Sequence, residues 1–188
     1  MRNQRLRDGG ERARGQKSLK ILACAHSNVA TDNLLDGLVA LGVRAVRLGR
    51  PANVRSSLWN HTVDSLLQQQ PAWVSSRARL DAAVEFYGEA RNAGGAELGV
   101  AQRVLAEAKR RFARAEARSV AAVLGEADVV VSTCIGAGAE VLREFADTAG
   151  VRFATVLIDE AAQCMESASL PAILLGCERL VLIGDHNQ

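Results

Sequence analysis

The sequence predicts an α/β fold, a parallel sheet with helices on both faces, and three observations carry that reading. Short apolar runs recur at Lys20-Ile-Leu-Ala-Cys24, Ala127-Asp-Val-Val-Val-Ser132, Thr155-Val-Leu-Ile158 and Leu180-Val-Leu-Ile183, as strands buried on both faces require. Segments of helical period separate them at lengths that suit crossovers between parallel strands. The last two runs end in Asp159-Glu160-Ala-Ala-Gln163 and Gly184-Asp185-His186-Asn187-Gln188, so two strands deliver acids to one edge.

The elements follow in order. Residues 1–18 are polar and Arg-rich without periodicity, which marks a disordered basic lead-in. The fold begins near Leu19, where the strand through Cys24 runs into Ser27-Asn28. A helix follows over Val29–Leu41, with Leu34, Leu35, Leu38 and Leu41 on one face and Gly42 as its stop. Val43–Leu48 alternates apolar residues with arginine, the pattern of a half-buried strand, and Gly49-Arg50-Pro51 ends it. From 56 to 124 the composition turns to Ala, Arg, Glu and Gln with helical spacing, the mark of an insertion. Leu98, Ala101, Leu105, Ala108, Phe112, Ala115, Ser119 and Ala122 form a seam at steps of three and four. Trp73, Arg77, Leu80, Val84 and Tyr87 form a partner seam, and Asn92-Ala-Gly94-Gly95 turns between them, so an antiparallel helical hairpin is expected. The sheet resumes at Ala127–Ser132. A Thr133-Cys-Ile-Gly136 turn, a helix through Ala146, a strand over Val151–Ile158, a crossover helix over Glu166–Gly176 and the last strand complete it.

With 188 residues, 48% of them apolar, the chain supports one domain with a buried core. The formal charge of +2 is uneven: the first twenty residues carry seven Arg or Lys against two acids, leaving the remainder acidic. A second basic excess lies between Arg103 and Arg118. Cys24, Cys134, Cys164 and Cys177 form no Cys-x-x-Cys pair and read as reduced thiols of the core or the site edge. No stretch approaches the roughly 20 apolar residues of a membrane span, and the start lacks the apolar core of a secretory signal. A cytoplasmic or nuclear setting with no membrane partner is expected.

Acids at the end of one strand suit either a solvated turn or a nucleotide site. The second acidic strand end, one crossover helix later, favours nucleoside triphosphate chemistry. Such chemistry needs one carboxylate for magnesium, a second group that orients or deprotonates water, and a polar sensor of the terminal phosphate. Asp159, Glu160 and Gln188 fit these needs. Ser27-Asn28, between a strand and a helix, fits either a helix cap or a phosphate contact.

The two acidic motifs together resemble superfamily 1 helicases of the upframeshift, senataxin and immunoglobulin-mu-binding type. There the second motif reads Asp-Glu-Ala-Ala-Gln and the third Gly-Asp-His-x-Gln. Ile21–Leu35 resembles the motif that grips the nucleic-acid backbone, with His26 in place of the usual proline, and Ser132–Gly136 resembles a second strand-contacting turn. The resemblance covers residues 20–188 and lies within the first RecA-like domain, so it implies a P-loop NTPase-type sheet with the 56–124 hairpin inserted. It implies ATP as substrate and Mg2+ as cofactor. Asp159 would coordinate the magnesium, Glu160 would activate water and Gln188 would sense the γ-phosphate. Gln163 would couple nucleotide to strand, Asp185 would complete the γ-phosphate surroundings, and His186 would position. Ser27, Asn28 and Thr133 would hold single-stranded RNA or DNA through its backbone, with little base specificity.

Triphosphate binding also needs Gly-x-x-x-x-Gly-Lys-Ser/Thr between a strand and a helix. Gly10-Glu-Arg-Ala-Arg-Gly15-Gln-Lys17-Ser18 has one residue too many, with no apolar strand before it and no room for a helix after it. The expected reading is a fragment of an ATP-dependent helicase, nearly inactive without a phosphate loop and a second RecA-like domain. The alternative, from another class, is a non-enzymatic adaptor that keeps a degenerate helicase core for docking to nucleic acid or protein.

Overall fold

The computed structural model describes residues 19–50, 53–95 and 97–185. The expected lead-in, residues 1–18, and the site candidates His186 and Gln188 lie outside the described residues. Five strands, β1 (Leu19–Ala25), β2 (Ala45–Arg47), β3 (Val129–Thr133), β4 (Arg152–Asp159) and β5 (Arg179–Leu182), form one parallel sheet in the order β2-β3-β1-β4-β5. The helices are α1 (Asn28–Ala40), α2 (Val63–Leu67), α3 (Pro71–Ala93), α4 (Glu97–Glu126), α5 (Glu140–Ala149) and α6 (Glu166–Ile173). None of them is long and apolar enough to cross a membrane.

The period-two pattern of the strands divides the core between the two faces. Leu22, Cys24, Val130, Val156 and Ile158 meet α2, the end of α4, α5 and α6 through Val63, Leu67, Leu124, Leu142, Phe145 and Ala172. Ala23, Ala45, Val129 and Val131 meet Leu35 of α1 and Leu58 of a 3-10 turn over Ser56–His61. α1 starts where Ser27, in extended conformation, accepts the Ala30 amide at 3.2 Å, and Gly42 at φ +74 lets the chain leave the helix.

β1 leads the chain towards β2 and β4 leads it towards β5, so the topological switch lies where their carboxyl ends stand side by side. Register makes this concrete, since Ala25 pairs with Thr133 on one side and Asp159 on the other.

Two strands depart from expectation. β2 is fully buried rather than half-buried, because Asp32 of α1 stands against Arg47 and lets its guanidinium enter the core at 1% exposure. β5 is not buried: all four of its residues are exposed, because it is the last strand of the sheet. Periodicity distinguishes strand from helix but does not show which strand becomes an edge.

The helical segment also divides. Its first part stays with the body, where the 3-10 turn and α2 pack on the sheet and the Thr62 hydroxyl accepts the Ser65 amide at 3.1 Å. α3 and α4 then form the hairpin, turning at Gly94 (φ +68) and Gly95 (φ +99), whose left-handed backbone favours glycine. Trp73 meets Phe112 edge-on with ring centroids 5.8 Å apart, and the Arg77 guanidinium lies 5.7 Å from the same ring. Val84 and Ala122 are exposed, contrary to the expected seams. Ala83 and Ala90 are buried on α3 instead, and near its end α4 turns Val120, Val123 and Leu124 into the sheet core.

Candidate functional site

Asp159 closes β4, and its Oδ1 accepts the amide of Glu160 at 3.1 Å. Glu160 has φ 53 and ψ 41, the only positive-φ residue other than glycine among the described residues. A left-handed L-residue costs about 1–2 kcal/mol, strain of the kind that gathers at working sites. The backbone reversal carries the chain into a 3-10 turn, Ala161–Gln163, where Gln163 Nε2 donates to Glu160 Oε2 across a long 3.5 Å. Both carboxylates are half-buried and hard in character, while Gln163 is exposed.

The second acidic arm lies directly against the first. Ile183 donates its amide to the Ile158 carbonyl at 2.9 Å, and the Ala161 amide donates to the Ile183 carbonyl at 2.7 Å. A Cβ on Gly184 would stand 3.0 Å from the Ala162 nitrogen and 3.3 Å from that of Ala161, so the arms meet backbone to backbone. Asp185 follows in the exposed stretch after Gly184.

Along the same edge stand Ser27, Asn28 and Thr133. The hydroxyl and carbonyl of Ser27 accept the Ala30 and Thr31 amides at 3.2 and 3.0 Å, which leaves the Asn28 and Val29 amides as helix-terminal donors. The Asn28 side chain is exposed, and its Oδ1 accepts from Arg47 Nη2 at 2.9 Å. Thr133 Oγ1 accepts the Gly136 amide at 3.0 Å, a bond that leaves its own hydroxyl proton available. Gly136 is required there, because a Cβ would lie 2.6 Å from Ser132 Oγ and 2.8 Å from Thr133 Oγ1.

Two features escaped the sequence reading. Arg47 Nε and Asp32 Oδ1 lie 3.1 Å apart in the core but off the line of a hydrogen bond, so they form an ion pair without an aligned bond. Burial draws the Arg47 pKa down, and the Asp32 charge opposes that. Cys24, Cys134 and Cys164 also gather in one core cluster behind the edge, where Cys164 Sγ donates to the Met165 carbonyl at 3.6 Å. The usable signal was position: Cys134 follows Thr133 and Cys164 follows Gln163.

A family model described as an AAA domain matches residues 2–188. The DNA polymerase alpha-associated DNA helicase A of Schizosaccharomyces pombe is 32% identical over 92% of this chain and 25% of its own length. The ATP-dependent helicase NAM7 of Saccharomyces cerevisiae is 36% identical over 90% of the chain and 15% of its own length. The DNA-binding protein SMUBP-2 of Mus musculus is 31% identical over 92% of the chain and 17% of its own. The chain thus spans a quarter or less of these relatives.

Proposed function

This chain belongs to the AAA-domain family, among superfamily 1 helicases of the upframeshift type, and from that premise we propose that it builds the first RecA-like half of an ATP-dependent helicase that moves on single-stranded RNA or DNA. One observation carries the reading: Ala25 stands in register between Thr133 on one side and Asp159 on the other, which sets the strand-contact candidates beside the acids.

Asp159 and Glu160 suit magnesium and triphosphate chemistry. Such a cation takes oxygen donors, and with a nucleotide it needs only one or two carboxylates besides the phosphates. Asp159 commits Oδ1 to the Glu160 amide and keeps Oδ2 for the cation. Bound magnesium would neutralise charge on the transferring phosphoryl group. Glu160, turned out of the strand by its left-handed backbone, orients and deprotonates the attacking water. Gln163, bonded to Glu160, couples the acids to the strand-contact edge. Asp185 stands on the adjoining arm that leads to Gln188, the γ-phosphate sensor. Ser27, Asn28 and Thr133 hold strand phosphates by amide and hydroxyl donors, which gives affinity without base selection. The phosphate loop and the second RecA-like domain belong to the remainder of a longer protein, where the activity resides.

The test uses that longer protein. Glu160→Gln should abolish strand-stimulated ATP hydrolysis while ATP and strand binding persist, and hydrolysis indifferent to the change would remove Glu160 from this role. For the 188-residue chain, log affinity for an oligonucleotide should fall with log salt at about −0.7 per phosphate neutralised. A flat response would exclude phosphate-backbone contact.

A further inference from the structure

Arg47 lies beneath the strand-contact edge at 1% exposure, yet its guanidinium reaches Asn28, which is exposed. Arginine has five N–H donors and no acceptor, so an asparagine amide can meet it only through oxygen. The 2.9 Å bond from Nη2 to Asn28 Oδ1 therefore fixes the amide with its NH2 turned away from the core. Asn28 is exposed and opens α1, so the side away from the core is the solvent side of the helix start. Without this bond the amide could turn either its donors or its acceptor outwards, and an outward oxygen would repel a phosphate.

The guanidinium is itself held on several sides. Asp32 Oδ1 stands 3.1 Å from Nε, and Nη1 donates to the Asn53 carbonyl at 3.5 Å. Asp32 Oδ2 accepts the Arg55 amide at 2.8 Å, and the Arg55 side chain donates to Asn33 Oδ1 at 2.8 Å. The segment entering the helical insertion and the first two turns of α1 are thus joined around one buried charge. A lysine would keep that charge against Asp32 but has one nitrogen on a flexible stem, which cannot span Asp32 and Asn28 as the planar fork does.

We propose that Arg47 is a positioning residue for nucleic-acid binding: by occupying the Asn28 carbonyl oxygen, it presents the Asn28 NH2 group to a strand phosphate. The proposal rests on the strand-contact reading of Asn28. Arg47 touches no ligand and acts only through Asn28.

The experiment measures binding of a labelled oligothymidylate to the full 188-residue chain by fluorescence anisotropy, with thermal unfolding recorded for every variant. Asn28→Ala and Arg47→Lys should each weaken binding about tenfold, and the double variant should bind no worse than either single one. A general structural effect would lower affinity equally in both backgrounds. Losses that multiply in the double variant would therefore overturn the proposal. It would also be overturned if Asn28→Ala weakened binding while a folded Arg47→Lys bound like the parent; that result leaves the strand-contact reading standing. Unchanged affinity in Asn28→Ala would instead overturn that reading itself. Should Arg47→Lys unfold, Asn28→Asp decides with Arg47 intact. Its carboxylate keeps the Arg47 bond but replaces the outward NH2 with oxygen, so binding should fall at least as far as in Asn28→Ala; parental affinity would overturn the proposal.

Discussion

The Ala161 amide donates to the Ile183 carbonyl across 2.7 Å, which joins the loop after β4 to the loop after β5 by backbone alone. Gly184 makes this approach possible. Gly184→Ala would set a methyl group 3.0 Å from the Ala162 nitrogen and 3.3 Å from that of Ala161. Neither atom belongs to a flexible side chain, so the backbone of one loop must give by about a few tenths of an ångström. The expected cost is about 1–3 kcal/mol, read by urea unfolding. Unaltered stability would mean that the two arms part freely.

At Glu160 the backbone and the side chain make opposite demands. Its φ of 53 favours glycine, and the bond its carboxylate accepts in the turn, from Gln163, is a long 3.5 Å. Glu160→Gly relieves about 1–2 kcal/mol of left-handed strain and returns part of it as unfolded-state entropy. A net gain of about 0.5 kcal/mol is expected in chemical unfolding, whereas Glu160→Gln, which keeps the strain, should leave stability unchanged. A destabilised glycine variant would show that the carboxylate holds the turn.

Four strands were legible as short apolar runs between turn signals, β2 by its alternation of apolar residues with arginine, and the hairpin because Gly94-Gly95 interrupts two helical periods. The placement of Asp159 and Glu160 at a sheet edge followed from the same pattern. Relations between distant segments were hidden. Arg47 looks solvent-facing until Asp32 arrives from another element, and the exposure of β5 depends on strand order. Glu160 gave no sign of a left-handed backbone, because only glycine or asparagine announces one.

The cluster of Cys24, Cys134 and Cys164 predicts a pH dependence of folding. The neighbouring Cys24 thiol draws Cys134 from 9.0 down to about 7 against its burial, with the Cys164 thiol assisting. Burial pushes Cys164 up to about 11, and the Cys134 thiol together with burial pushes Cys24 up as well. With its folded pKa drawn below the ordinary 9.0, Cys134 should lose its proton in the folded chain before the unfolded one, so stability is expected to rise with pH between about 7 and 9. Above 9.0 the unfolded Cys24 and Cys164 ionise while the folded ones stay protonated, and stability falls. Thermal unfolding in reducing buffer should therefore peak near pH 9, and Cys134→Ser should remove the rise. A melting temperature level from pH 7 to 9 would place no shared thiolate in the core.

β5 combines two features that a stable surface avoids. Leu180, Val181 and Leu182 are 42%, 37% and 61% exposed, and among the described residues no strand pairs with the outer edge. Unpaired amides and carbonyls beside apolar side chains form a template for another strand. In a longer protein, a further strand laid along β5 would satisfy the backbone and cover the side chains together. For the 188-residue chain, light scattering should show mass increasing with concentration, and Leu182→Lys should suppress it by placing a charge on the edge. Association that persists in Leu182→Lys would move the contact to another surface, whereas a parent chain that stays monomeric at high concentration would mean that the edge is covered within the chain itself.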